Sequence, residues 1–492
     1  MRSLSKHLIF ALLSLATAYV VGTETLANET DRPNIVFFLV DDLGWQDTSV
    51  AFGDKPTRFQ QHFRTPHVKR LAEQGIRFSR AYSCAVCSPT RTSIMTGQNA
   101  ARHRVTNWTF YADRETSGRT NRLLPPEHWK RQGLQPDQVT LPMLLKTVGY
   151  RTIHCGKAHW GAYQTAGSDP TRLGFDINIA GHHAGAPGSY QGRDGYGNQA
   201  EDSGRRRWAV PGLEKYHGTD THLTDALAIE ACSAIGQAVA DSQPFFLYMA
   251  PYAVHTPIQE HPRFIGNYRG RTYPGTELPI PEVEARYASL VEGFDDALGR
   301  ILDKLEQVGV AGNTIVVFTS DNGGLSEHAR GTTPLGTGAN THCWPLREGK
   351  GSAYEGGIRV PLIVSWAMPA KELPQQTRLP IKPSSRSAVP VICEDHFPTI
   401  CRWAGVDIDE SSRQCAENNP QLDPGLARPI IDGIDITALV TGTTDTKARP
   451  LFFHYPHVWG PRGDGYQPHS SMLLDRYKLI YFHHARRWEL YD

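Results

Sequence analysis

The sequence predicts an α/β fold: a large, mostly parallel central sheet flanked by helices, with a smaller antiparallel sheet towards the C-terminal end. Three observations carry this. Continuous apolar runs of six or seven residues recur along the chain, as strands buried on both faces of a parallel sheet require. Helical periodicity lies between those runs. After about Thr441 the pattern changes to short, closely spaced strands.

Residues 1–27 read as an export signal rather than as part of the fold. Arg2 and Lys6 supply a positive start and Leu8 to Leu15 a short apolar run. Ala16-Thr17-Ala18 offers a small-residue cleavage site, with alternatives ending at Gly22 or Ala27. The rival reading is a membrane anchor, but the apolar stretch from Leu8 to Val21 is short of the roughly 20 residues a span requires. No later segment is long and apolar enough to cross a membrane. The mature chain is therefore expected to be exported, to a bacterial periplasm or the extracellular medium, without a span of its own.

Four apolar runs each end in polar residues suited to chemistry. Asn34 to Val40 runs into Asp41-Asp42, and Tyr150 to Cys155 into Gly156-Lys157-Ala158-His159. Pro244 to Ala250 leads to His255-Thr256-Pro257, and Thr314 to Thr319 to Ser320-Asp321-Asn322-Gly323. In open α/β sheets, sites collect at the carboxyl ends of strands, where all four clusters fall. The clearest helix is Arg286 to Val308, with Leu290, Val291, Phe294, Leu298, Ile301, Leu302 and Leu305 on one stripe and Gly309 beyond it. Leu141 to Val148 reads as a second, shorter helix, and Gly181 to Gly204 as a long loop. Residues 32–440 form the main domain and 441–492 the smaller one, with strands at Pro450 to Tyr455 and Lys478 to Phe482.

The 492 residues suffice for a large core. The 51 basic and 50 acidic residues nearly cancel, so bulk charge suggests neither a nucleic acid nor a membrane surface as partner. The eight cysteines do not have the spacing of a small-domain disulfide framework, although Cys401 and Cys415 offer a loop-closing pair.

Asp41-Asp42 can be read as a helix N-cap and Asp321-Asn322-Gly323 as a turn. Together they offer three carboxylates and an amide oxygen from two strand ends, an all-oxygen site for a hard divalent cation. Calcium fits better than magnesium, because it tolerates irregular ligation. Cys84-Ala85-Val86-Cys87 has the C-x-x-C spacing of a redox dithiol or half a zinc site, yet no second pair completes the latter.

The run Cys87-Ser88-Pro89-Thr90-Arg91, continued to Thr96-Gly97, resembles the signature of the type I sulfatases of the alkaline phosphatase superfamily. The resemblance extends from about residue 32 to 492. Pro33 to Gly44 is similar to the family's metal-binding strand, and Ser320 to Gly323 to its second metal segment. Gly156-Lys157-Ala158-His159-Trp160-Gly161 resembles G-K-W-H-L-G with two replacements, and Val254 to Pro257 resembles the H-x-P element. Leu346 to Lys350 resembles the lysine-bearing stretch, with Glu348 where a glycine is frequent. Trp488 to Asp492 resembles an E-L-Y-D element that normally continues further, which leaves open whether the smaller domain is truncated.

The resemblance implies sulfate-ester hydrolysis, with Cys87 converted to formylglycine by a separate maturation enzyme. It implies Asp41, Asp42, Cys87, Asp321 and Asn322 as the metal set. Cys87, Arg91, Lys157, His159, His255 and Lys350 would be catalytic: the lysines neutralising sulfate, Arg91 orienting the nucleophile, His255, alone or with Lys350, protonating the leaving alcohol and His159 acting as base. The loop Ile179 to Tyr190 resembles a segment of bacterial sulfatases acting on sulfated carbohydrates. Exo-action on galactose or N-acetylgalactosamine 4-sulfate is the expected activity, with His182, His183, His342 and Trp344 as candidate sugar contacts. Two other readings stay open: a phosphonate or phosphate ester hydrolase of the same superfamily, and a silent sulfated-glycan binder whose Cys87 is never modified.

Overall fold

The computed structural model describes residues 32–492 apart from 58–59, 119, 121, 200–202, 327–341, 424–427, 444–448 and 461–463; the export signal read at 1–27 lies outside it. The strands are, in order, β1 (Asn34–Val40), β2 (Ile76–Phe78), β3 (Ala81–Tyr82), β4 (Arg151–Gly156), β5 (Ile177–Ile179), β6 (Phe245–Ala250) and β7 (Thr314–Ser320). After them come β8 (Arg359–Val360), β9 (Leu362–Trp366), β10 (Ser385–Ser387), β11 (Val391–Ile392), β12 (Leu451–Tyr455), β13 (His469–Leu474), β14 (Tyr477–Phe482) and β15 (Arg487–Tyr491).

An eight-stranded sheet runs in the order β10-β2-β9-β7-β1-β6-β4-β5. The centre is parallel: β1 pairs with β6 and β7, and β4 with β6. Every residue of β1, β6 and β7 is buried, as their uninterrupted apolar character requires. The sheet is mixed rather than uniform, because β9 runs antiparallel to both β7 and β2.

The helix Glu282–Gln307 presents the expected stripe to the core, and Gly309 follows it at φ 77°. It begins four residues before the expected start at Arg286, because Glu282 and Glu284 favour an N-terminus electrostatically without adding to the apolar stripe. One expectation is corrected here: among the described residues, helix Leu223–Ala240 is long and apolar enough to cross a membrane by length and composition, and half of it is buried against the core.

One buried carboxylate ties two helices together. Thr65 makes no side-chain cap for helix Pro66–Gln74; instead Asp295 accepts the N–H groups of His67 (3.1 Å) and Val68 (2.8 Å). Burial pushes the Asp295 carboxyl up to about 7, against the pull of those two bonds. Between the ordinary carboxylate value and about 7 the folded chain holds a proton that the unfolded chain has released. Stability therefore falls as pH rises through that window. Asp295→Asn is expected to flatten this part of the profile, measured as the difference in Tm between wild type and variant from pH 4 to 8.

The antiparallel sheet β12-β13-β14-β15 closes the C-terminal region. Its loop after β12 reaches back to the main body: Tyr455 donates to Asn107 Oδ1 at 3.1 Å and His457 Nε2 lies 2.8 Å from Thr106 Oγ1. All eight cysteines are free thiols. The pairing of Cys401 with Cys415 is not formed: Cys401 is buried in helix His396–Ala404, whereas Cys415 lies half-buried on the next helix, Ile408–Asn418.

Candidate active site

Four strand ends and one helix start converge on a single buried cluster. Cys87 is the first residue of helix Cys87–Thr96, and all ten residues of that helix are buried. Pro89 falls in the first turn, where a missing N–H costs no helical bond, and Gly97 ends the helix in the left-handed region at φ 67°. The helix is pinned to the exit of β4. Arg91 Nη1 donates to the Lys157 carbonyl (2.7 Å), Trp160 Nε1 to the Arg91 carbonyl (3.0 Å) and Ser88 Oγ to the His159 carbonyl (3.0 Å).

Opposite charges alternate in direct contact. Lys157 Nζ bonds both oxygens of Asp41 at 2.7 and 2.8 Å. Arg91 Nε bonds Asp321 Oδ2 at 2.9 Å, and Lys350 Nζ lies 2.7 and 2.9 Å from the two oxygens of Asp42. Asp321 also accepts the Asp42 N–H, and Asn322 Nδ2 donates to Asp42 Oδ1 at 2.8 Å. Asp41, Asp42, Asp321, Asn322, Arg91 and Lys157 are completely buried.

Environment sorts these groups. Burial drives Asp41 well above the usual carboxylate range, with Lys157 opposing. Burial acts the same way on Asp42 and Asp321, but Lys350 and His255 hold the former down, and Arg91 and Lys157 the latter. The Asn322 Oδ1 oxygen is buried without a protein partner. That orphaned acceptor beside three carboxylates suits a hard divalent cation, and the oxygens of Asp41 and Asp42 also converge with a nitrogen of His255.

His159 has a defined tautomer. Its Nε2 lies 2.8 Å from the Thr109 carbonyl, which can only accept, so Nε2 carries the hydrogen. Nδ1 therefore presents its lone pair to Cys87 Sγ, 3.3 Å away. Burial, reinforced by Lys157, holds His159 well below its ordinary value and keeps it neutral. His159 adopts φ 56° and Asp42 φ 61°, a left-handed backbone that costs non-glycine residues about 1–3 kcal/mol each. Gly185 lies against the His159 ring, where an added Cβ would stand 2.3 Å from Cε1. Gly185→Ala is expected to displace the imidazole and lower kcat by about 100-fold with little change in Tm, as steady-state kinetics and a thermal melt would show.

His255, expected as the proton donor, stands at the cavity base beside Asp42. Nδ1 lies 2.9 Å from the Thr256 carbonyl, leaving Nε2 facing Asp42 at 3.5 Å. Burial and then Lys350 pull His255 down to about 3, whereas Asp42 raises Lys350 against its own burial. These surroundings favour the positive charge on Lys350 over one on His255.

Above Cys87 opens a cavity of about 430 Å³, lined by His159, His255 and Lys350 at its base and by Trp108, Gly185 to Gly188, Trp208, Gln259 and Trp459 at its walls. The four expected sugar contacts are not among these lining residues. His182 is half-buried, and its carbonyl accepts the His159 backbone N–H at 3.1 Å. His183 packs against Phe110 and Tyr163. His342 is buried 3.2 Å from Glu284, and Trp344 is 38% exposed elsewhere. A polar or aromatic residue in a loop gave no indication of which way it would face. Trp108, Trp208, Gln259 and Trp459 were not anticipated, because isolated residues in aperiodic loops carry no sequence signal.

Buried carboxylates and cations beneath an open cavity, at the carboxyl ends of an alkaline-phosphatase-like sheet, define a hydrolase of anionic esters. The sulfatase family model matches residues 33–406, and the chain belongs to that family; it is a sulfatase. It is 28% identical over its whole length to a sulfatase of Formosa agariphila, covering 88% of that protein. It is 32% identical to mouse N-acetylgalactosamine-6-sulfatase over 69% of the chain, a match spanning 58% of the mouse enzyme. The crystal structure of Ps i-CgsB in complex with k-i-k-neocarrahexaose superposes with a TM-score of 0.64 at 25% identity, covering 94% of this chain and 86% of that one.

Proposed function

We propose that this sulfatase is an exported enzyme that removes sulfate from a sulfated carbohydrate, with galactose or N-acetylgalactosamine sulfates as first candidates. The observation that carries the chemistry is the lone pair of neutral His159 aimed at residue 87 beneath an open cavity. The names of the relatives support the sugar class; one names the 6-position, so the 4-sulfate reading is tested beside it.

Formylglycine at position 87, once hydrated, supplies a nucleophilic oxygen and a second hydroxyl on the same carbon. Asp41, Asp42, Asp321 and Asn322 would hold a divalent cation, calcium before magnesium, which supplies positive charge to the nucleophile and the sulfate. Lys157 and Lys350 neutralise the sulfate oxygens, and Arg91 holds Asp321 in place. The incoming sulfate anion offsets Lys350 and favours a proton on His255, so the His255–Lys350 pair delivers hydrogen to the leaving alcohol. His159 Nδ1 then takes the proton from the remaining hydroxyl, which expels sulfate without water attacking sulfur.

The test is a panel of 4- and 6-sulfated galactose and N-acetylgalactosamine, with aryl sulfate and aryl phosphate as controls, alongside the mass of the Cys87 peptide. Sulfate release with an aldehyde at 87 is expected. An unmodified thiol in inactive protein, or aryl phosphate preferred over every sulfate, would overturn the reading.

A further inference from the structure

We infer that Trp108, Trp208 and Trp459 form an aromatic box for one terminal pyranose of the substrate, making the enzyme exo-acting; this rests on the carbohydrate reading above. Five segments far apart in the chain surround the cavity: Trp108, the loop Gly185 to Gly188, Trp208, the exit of β6 to Gln259, and Trp459 from the loop after β12. At about 430 Å³ the space is at the small end of small-molecule sites, roughly 300–1,000 Å³. Walls on these sides admit the sulfated sugar end-on, and the rest of a glycan leaves through the mouth.

The lining chemistry narrows the ligand further. Apart from Cys87, His159, His255 and Lys350 at the sulfate end, the lining side chains able to hydrogen-bond through oxygen or an amide are Thr256 and Gln259. The Thr256 hydroxyl is 3.2 Å from His255 Nδ1. Gln259 Oε1 accepts the Tyr190 N–H (2.6 Å) and the Ser189 hydroxyl (3.2 Å), which leaves its Nε2 as a donor for a sugar oxygen. The three indoles add an N–H donor each, so the lining suits a ligand with one apolar face and polar edges. A pyranose laying its C–H face on an indole meets a surface that holds it without hydrogen bonds.

The rings are set in advance. Trp208 lies 4.3 Å from Phe110, centroid to centroid, and its carbonyl accepts the Gly188 N–H at 2.7 Å. The Trp108 ring is 6.5 Å from the same Phe110, and its carbonyl accepts the Thr116 hydroxyl. Trp459 lies 5.4 Å from Lys350 Nζ and packs on Gly351, where a Cβ would stand 2.3 Å from the indole. Fixed rings cost little ordering when the sugar binds.

The experiment compares trisaccharides carrying one sulfate, on the non-reducing terminal or on the middle residue, and repeats the kinetics with Trp208→Ala, Trp208→Phe and Trp459→Ala. Wild type is expected to cleave the terminal sulfate at least about 100-fold faster in kcat/KM than the middle one. Trp208→Ala should raise KM about tenfold with a much smaller change in kcat, and Trp208→Phe should recover most of it. In a Cys87→Ala background, the terminal substrate should quench indole fluorescence, and less so once Trp208 is removed. Equal cleavage of terminal and middle sulfates, or unchanged KM in both alanine variants, would sink the box while leaving a carbohydrate sulfatase standing. Hydrolysis of aryl sulfates with none of the sugar sulfates would remove the carbohydrate reading and the box together.

Discussion

Cys87→Ala is expected to lower sulfate-ester hydrolysis by at least about 10⁴-fold, because the nucleophilic atom goes with the side chain. The thiol itself is poorly suited to attack. Cysteine nucleophiles work as thiolates, with lowered pKa values; here burial raises the Cys87 thiol, although Lys157 and Lys350 pull the other way. An unmodified chain therefore carries a protonated thiol donating to His159. Cys87→Ser separates the two halves of the chemistry. A serine oxygen can take the sulfuryl group but has no second hydroxyl from which to expel it, so a single turnover followed by arrest is expected. Stopped-flow release of an aryl alcohol, with intact mass of the arrested protein, reads both outcomes. Alanine in this well-packed helix should cost stability only modestly, about 1 kcal/mol, and a thermal melt checks that the loss is chemical.

The second large effect belongs to His159. Its Nε2 hydrogen is committed to the Thr109 carbonyl, so the ring cannot present a donor to residue 87 while that bond is kept. His159→Ala is expected to leave the first sulfuryl transfer largely intact and to slow release of sulfate by about 10²–10⁴-fold, the usual worth of a positioned base. The signature is a burst of alcohol equal to the enzyme concentration, followed by a slow steady state and a sulfated enzyme in the mass spectrum. Loss of the burst itself would reassign His159 to the first step. Gln at this position, which has no comparable basic nitrogen, should behave as alanine does.

The parts legible in the sequence were those whose signal is local. Asn34 to Val40 running into Asp41-Asp42, and Thr314 to Ser320 running into Asp321-Asn322, combine a buried strand with acids that only a strand end can use, and their pairing in register brings the acids together. The antiparallel course of β9 was not legible, because an apolar run looks alike in both directions. Nor was the Thr109 carbonyl, a backbone group that any residue offers. His342 is a sugar candidate by residue type alone, and its contact with Glu284, 58 residues earlier on another element, left no local signal. The left-handed backbone at Asp42 and His159 was likewise invisible, since neither residue type demands it.

The complete burial of helix Cys87–Thr96 bears on the proposed conversion of Cys87. Its Sγ meets the cavity, but the backbone around it is wound into a helix packed on every side. If the conversion needs this segment extended, oxidation and folding compete for the same chain. On that reading, adding maturation activity to already folded protein is expected to leave the Cys87 peptide unchanged in mass, and slower folding would raise the active fraction.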